Sequence, residues 1–137
     1  IRMEEINAWN YLQYAANTNA TYLIGLAFLT WVGLRISSSV YADASASIIV
    51  RIAGSVFCLS VTWFWLTTMA MFEWNVNGVA GVFTAMQAEG DISSGAQFII
   101  ANSNPGAEPS IMPNIVQGLF LLSALVIQLG GLWMKKD

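Results

Sequence analysis

Arg51, Ser55, Cys58 and Thr62 fall at i, i+4, i+7 and i+11, so on a helix they share one face. A cation, two hydroxyls and a thiol on one face could line a polar pathway or pair with a second helix, and Gly54 beside them would permit close approach. The plainer reading is that Arg51 snorkels to the nearer membrane surface while the small residues pack against neighbouring helices. Other residue types offer less chemistry. The chain has no histidine, which removes the commonest ligand for haem, copper and zinc and the commonest general base near neutral pH. Without histidine a Ser-His pair cannot be built, and no serine sits in a Gly-x-Ser-x-Gly turn. Glu73, Glu89, Asp91 and Glu108 carry oxygen ligands suited to a hard cation, but their spacing matches no calcium loop. Gly78-Val79-Ala80-Gly81 lacks the third glycine and the lysine of a phosphate-binding loop. The expectation is a chain that is not an enzyme and holds no cofactor by itself, with structural lipids around it.

Only 9% of the 137 residues are charged and 56% are hydrophobic. A soluble domain carries about 25% charged residues, so the main solvent read from this composition is lipid. Net charge is −3 and the five basic residues are scattered, which leaves no stripe to neutralise nucleic-acid phosphates. Cys58 is the single cysteine, so no internal disulfide can form, and a buried, inert thiol is expected. No basic segment followed by a short apolar core marks a signal peptide at the start of the sequence.

Charges leave three long uninterrupted windows, Ile6 to Leu34, Ile52 to Phe72 and Pro109 to Met134. A span needs roughly 20 helical residues, which predicts an all-α membrane protein of one domain with transmembrane helices over 19–36, 48–72 and 113–134. Ile6, Trp9 and Leu12 recur at helical spacing among Asn7, Asn10, Gln13 and Asn17, so residues 1–18 read as an amphipathic segment along the outer surface before the chain turns inward. Ser37-Ser38-Ser39 and the Ala/Ser run to Ser47 read as the connection between the first two spans. Residues 73–112 form the expected external segment. Within it Val79, Val82, Phe83 and Met86 predict a short helix over 77–88, and Phe98-Ile99-Ile100 form a second apolar patch before the turn-rich 102–106. A fourth span over 78–101 would place Glu89 and Asp91 deep in lipid at about 2.5–3.5 kcal/mol for each acidic residue, so it is rejected, with a surface-lying or re-entrant hairpin as the alternative. Pro113 suits the first turn of the third span.

In this path Arg35, Arg51, Lys135 and Lys136 lie on one side, and Glu4, Glu5, Arg2 and the acidic 73–112 segment on the other. The positive-inside rule then predicts the N-terminus outside and the C-terminus inside, in a bacterial or archaeal cytoplasmic membrane or an organellar one. Trp63, Phe64 and Trp65 point in three directions and cannot all face the interior of a three-helix bundle. Trp63 and Trp65 are therefore candidates for partner packing. Gln117 and Gln128 share a face eleven residues apart and need hydrogen-bond partners in lipid, while Ser123 and Gly130, seven apart, with Ala124 and Gly131, give a smooth strip.

Three functional classes are consistent with these features. The first is a small accessory subunit of a larger membrane complex of the respiratory, photosynthetic or membrane-bound oxygenase kind, with other membrane subunits and lipid as partners. The second is a self-assembling, holin-like pore. The third is an accessory subunit of a transporter, in which Arg51 would neutralise an anion.

Overall fold

The computed structural model describes residues 2–134, which form four helices: α1 (Met3–Ala42), α2 (Ile48–Glu89), α3 (Ser94–Ala101) and α4 (Ile115–Trp133). The protein is all-helical, and α1, α2 and α4 are each long and apolar enough to cross a membrane. Two compact units arise, one from Ile1–Thr21 with Thr68–Ile111 and the other from Tyr22–Thr67 with Met112–Asp137.

The long helices differ from the sequence expectation in where they end. The stretch 1–18 is not a separate surface element that turns into the first span: α1 is continuous from Met3 and runs on through Ser37-Ser38-Ser39 to Ala42. No proline interrupts it, and scattered Asn, Gln and Ser each cost a helix only a few tenths of a kcal/mol. Likewise, the helix expected over 77–88 is no separate element but the last three turns of α2, which does not stop at Phe72. Gly78 and Gly81 weaken that stretch by about 1 kcal/mol each, which tertiary packing offsets. The patch Phe98-Ile99-Ile100 lies in α3, whose N-cap Ser93 accepts a hydrogen bond from the Ala96 N–H. Pro113 falls just outside α4, because Asn114 is the N-cap and accepts from the Gln117 N–H at 2.9 Å.

In the first unit Val79, Phe83 and Met86 of α2 form a buried core with Ile92 and Ala96, and Trp9 and Leu12 of α1 pack against it. Val82, expected on the same face, is largely exposed. The Trp9 and Phe83 rings lie 5.2 Å apart, and a methyl group at Gly95 would come within 3.1 Å of the Trp9 indole. The loop after α3 is held by Asn77. Its side-chain oxygen accepts from the Asn104 N–H at 3.0 Å and its carbonyl from the Gly106 N–H at 2.9 Å. Gly106 adopts φ +71, the left-handed conformation that glycine enters without a Cβ penalty.

In the second unit the C-terminal half of α1 and the N-terminal half of α2 pack with α4. Contacts advance together from Thr30 to Ile36 on α1 and from Gln128 to Leu132 on α4, so these two run parallel. Trp65 meets Phe120 and Arg51 meets Leu132, so α2 runs antiparallel to α4. Val40, Cys58 and Leu132 form the buried centre, with Ile36, Phe57, Leu125 and Leu129 around it.

Candidate functional site

The second unit gathers half of the candidate residues into a seam. In lipid there is no solvent contrast to drive one apolar helix against another, so close packing and hydrogen bonds hold it. Thr30 is its hub. The Thr30 carbonyl accepts from Gln128 Nε2 at 3.1 Å, and its hydroxyl accepts from Trp65 Nε1 at 2.9 Å while donating to the Leu26 carbonyl at 2.8 Å. One residue of α1 thereby ties α2 and α4 together. Gln128 is only 2% exposed, so its amide depends on these partners. Its backbone carbonyl also accepts from the Ser37 hydroxyl at 2.7 Å.

A second link joins α2 to the C-terminal turn of α4. The Arg51 guanidinium donates to the Leu132 carbonyl and, at 3.4 Å, to the Ala46 carbonyl. One turn on, Ser55 Oγ accepts from Trp133 Nε1 at 2.8 Å and donates to the Arg51 carbonyl at 2.9 Å. A cation at carbonyls left unpaired by the end of a helix meets the negative end of its dipole. Cys58 is fully buried and lies within 3.2 Å of where a Gly33 side chain would begin.

Glycine sets how closely these helices approach. A Cβ at Gly33 would stand 2.6 Å from Gln128 Nε2, and one at Gly54 would stand 2.9 Å from Leu132 Cδ2. One at Gly131 would overlap the Ser37 hydroxyl and stand 3.2 Å from the Ser37 carbonyl oxygen. None of these can be accommodated without moving a neighbour.

Arg51, Ser55, Cys58, Trp65 and Gln128 are thus brought together, while five other candidates lie elsewhere. Thr62 donates to the Cys58 carbonyl within its own helix. Gln117 occupies the first turn of α4, where its backbone N–H is capped by Asn114. Ser123 is exposed and donates to the Leu119 carbonyl. Trp63 is 53% exposed. Among the described residues Gly130 has only Met134 Sδ near it, at an ordinary 3.6 Å, whereas its neighbour Gly131 makes the close approach. Comparison with known proteins finds no matching family model, curated protein or solved structure.

Thr30, Gly33 and Ser37 complete the seam on α1, Ser37 having been expected in the connection between spans and Thr30 and Gly33 not expected at a contact. They fall at i, i+3 and i+7, a small-and-polar stripe of the kind that marks a helix contact in lipid.

In the first unit one carboxylate is buried. Glu5 is 1% exposed and accepts from the Ser93 N–H at 3.2 Å, at the start of α3. Hydrogen bonds from Ser93, side chain first and backbone second, and from Trp9 hold its carboxyl below the usual range against the opposing effect of burial. It anchors the α2–α3 turn to α1. Arg2 donates to the Met86 carbonyl and lies 3.6 Å from Glu89, closing the same region.

Proposed function

We propose that this chain is a small non-catalytic subunit of a larger integral membrane complex, contributing helix packing and an extramembrane cap. The observation that carries the reading is the division of the aromatic cluster on α2. Trp65 turns inward onto Thr30 and the Phe120 ring, whereas the adjacent Trp63 and Phe64 stay 53% and 54% uncovered among the described residues. Two large rings side by side on a span make an adhesive surface, and aromatic residues are enriched at protein contacts. The polar groups of the spans support the same reading, because they are engaged with one another. With Arg51 donating to two carbonyls, helix packing is a better account of it than pairing with a transported anion.

The orientation that goes with this proposal places the N-terminus and residues 73–112 outside and the C-terminus inside. The contact of Arg51 with Leu132 supports this orientation by setting Arg51 beside the C-terminal turn of α4. A bacterial, archaeal or organellar membrane is the proposed location.

The test is extraction from the native membrane in mild detergent, followed by native gel electrophoresis and mass spectrometry of the band. Stoichiometric comigration with larger membrane chains, lost on substituting Trp63 and Phe64 together by alanine, is the expected result. A ladder of this chain alone would favour the self-assembling pore and overturn the proposal.

A further inference from the structure

In the first unit a cleft of about 490 Å³ opens between the N-terminal part of α1 and α2, and apart from Val79 and Ala8 the residues around it stand outside the buried core. Its aromatic walls are Tyr11 and Trp74, and its amide groups are Asn7 and Asn75. Tyr11 donates its hydroxyl to Asn75 Oδ1 at 2.8 Å, which ties α1 to α2 across the cleft and fixes the phenol ring. Gly78 forms part of the lining, and no atom lies within 4 Å of where its side chain would begin, so the missing side chain leaves open volume. Val79 and Val82 add apolar surface.

The charge of the cleft has one sign. Glu4 is the only charged residue lining it, no basic residue contributes, and Glu4 forms no ion pair among the described residues. A carboxylate beside two aromatic rings is the set of groups that recognises an organic cation: the ring faces attract the positive charge, and the apolar walls accept its alkyl substituents. An anion would meet Glu4 unfavourably, and a neutral apolar molecule would gain nothing from the carboxylate.

We propose that this cleft binds an alkylammonium group. A free soluble amine and the headgroup of a choline or ethanolamine lipid carry the same chemistry, and Trp74, at the expected outer interface, is placed for either source.

The experiment uses the full chain in maltoside micelles and saturation-transfer NMR on the methyl protons of added choline, with the uncharged carbon isostere of choline as the paired probe. Saturable transfer to choline, at least about tenfold tighter than to the isostere, is expected, as is a weakening of roughly tenfold in Glu4→Gln and in Trp74→Leu. Trp63→Leu, in the other unit, should leave it unchanged, and circular dichroism checks that each variant keeps its helix content. Repetition in nanodiscs separates the sources. A choline signal present in phosphatidylglycerol discs and abolished in phosphatidylcholine discs identifies the lipid headgroup, and equal signals in both identify a free amine. No saturable transfer, equal binding of the isostere, or binding unchanged by both Glu4→Gln and Trp74→Leu overturns the proposal.

Discussion

Replacing Gly131 by alanine tests whether the close approach of α1 and α4 governs the second unit. The added methyl would overlap the hydroxyl of Ser37 and stand 3.2 Å and 3.3 Å from the Ser37 carbonyl oxygen and carbon. The hydroxyl can turn away only by giving up its 2.7 Å hydrogen bond to the Gln128 carbonyl, a loss of about 0.6–1 kcal/mol between membrane helices. The backbone carbonyl cannot turn away at all, so the helices must part by a few tenths of an ångström, and overpacking of that kind costs about 1–3 kcal/mol. Less the roughly 1 kcal/mol by which alanine favours helix over glycine, the expected net loss is about 1–3 kcal/mol. Gly130→Ala is the matched control: its methyl would meet only Met134 Sδ at 3.6 Å, and alanine favours helix over glycine by about 1 kcal/mol, so this variant should be neutral or more stable. Adding Ser37→Ala to Gly131→Ala costs nothing further, because the hydrogen bond is already lost and the backbone contact is unchanged, so the double variant should match Gly131→Ala and the double-mutant cycle should show a coupling of about 0.6–1 kcal/mol. Reversible unfolding in mixed micelles, followed by circular dichroism, measures all four proteins. If Gly131→Ala and Gly130→Ala lie within about 0.5 kcal/mol of each other, or Ser37→Ala simply adds its own loss, the packing argument is wrong.

Gln128→Leu keeps the volume but removes the donor to the Thr30 carbonyl, and should cost about 0.6–1.7 kcal/mol in the same unfolding assay. Phe83→Ala empties the centre of the first unit and should destabilise it by about 3–5 kcal/mol, read as lost hydrogen-exchange protection in 79–101 while 120–132 stays protected. Because the Glu5 carboxyl is held below its ordinary range, the stability it adds is fully present above about pH 4.3 and is lost as pH falls through the lowered value in the folded state. Protection of the Ser93 and Ala96 amides, taken relative to the intrinsic exchange rate at each pH, should therefore fall on acidification in the wild type, and Glu5→Gln should flatten that dependence. Gly106→Ala forces a side chain into the left-handed region and should cost about 1–2 kcal/mol, measurable as faster exchange at the Asn104 amide, which Asn77 holds.

Much of the membrane-spanning part was legible in the sequence. Three apolar windows mark three helices because hydrocarbon admits few charges, and the Arg51, Ser55 and Cys58 face does meet the other helices. Gly130 and Gly131 show the limit of that reading. Both glycines belong to smooth strips seven residues long, and only the rotation of α4 about its axis decides that the second faces Ser37. Asn77 was illegible for a similar reason: its partners Asn104 and Gly106 lie more than 25 residues away and form no periodic pattern with it. The alkylammonium cleft draws on residues from two distant segments, with no spacing shared between them.

The misplaced helix ends follow from treating polarity as a sign that a helix stops. Hydropathy reports which solvent a residue meets, and a helix can pass from one solvent to another without ending, because its backbone hydrogen bonds are satisfied internally in both. Ending requires a breaker or a partner for the free N–H groups of the next start. Every helix start after α1 has such a partner: Ser47 Oγ accepts from the Val50 N–H, Ser93 Oγ from the Ala96 N–H, and Asn114 Oδ1 from the Gln117 N–H. Each precedes an apolar run, as the capping preference of Ser and Asn requires. Between Met3 and Ala42 and between Ile48 and Glu89, by contrast, there is no proline, and the glycines are spent on contacts or left in place at modest cost. Caps and prolines therefore locate the ends of these helices, and the apolar windows locate only the stretch of each that lipid can surround.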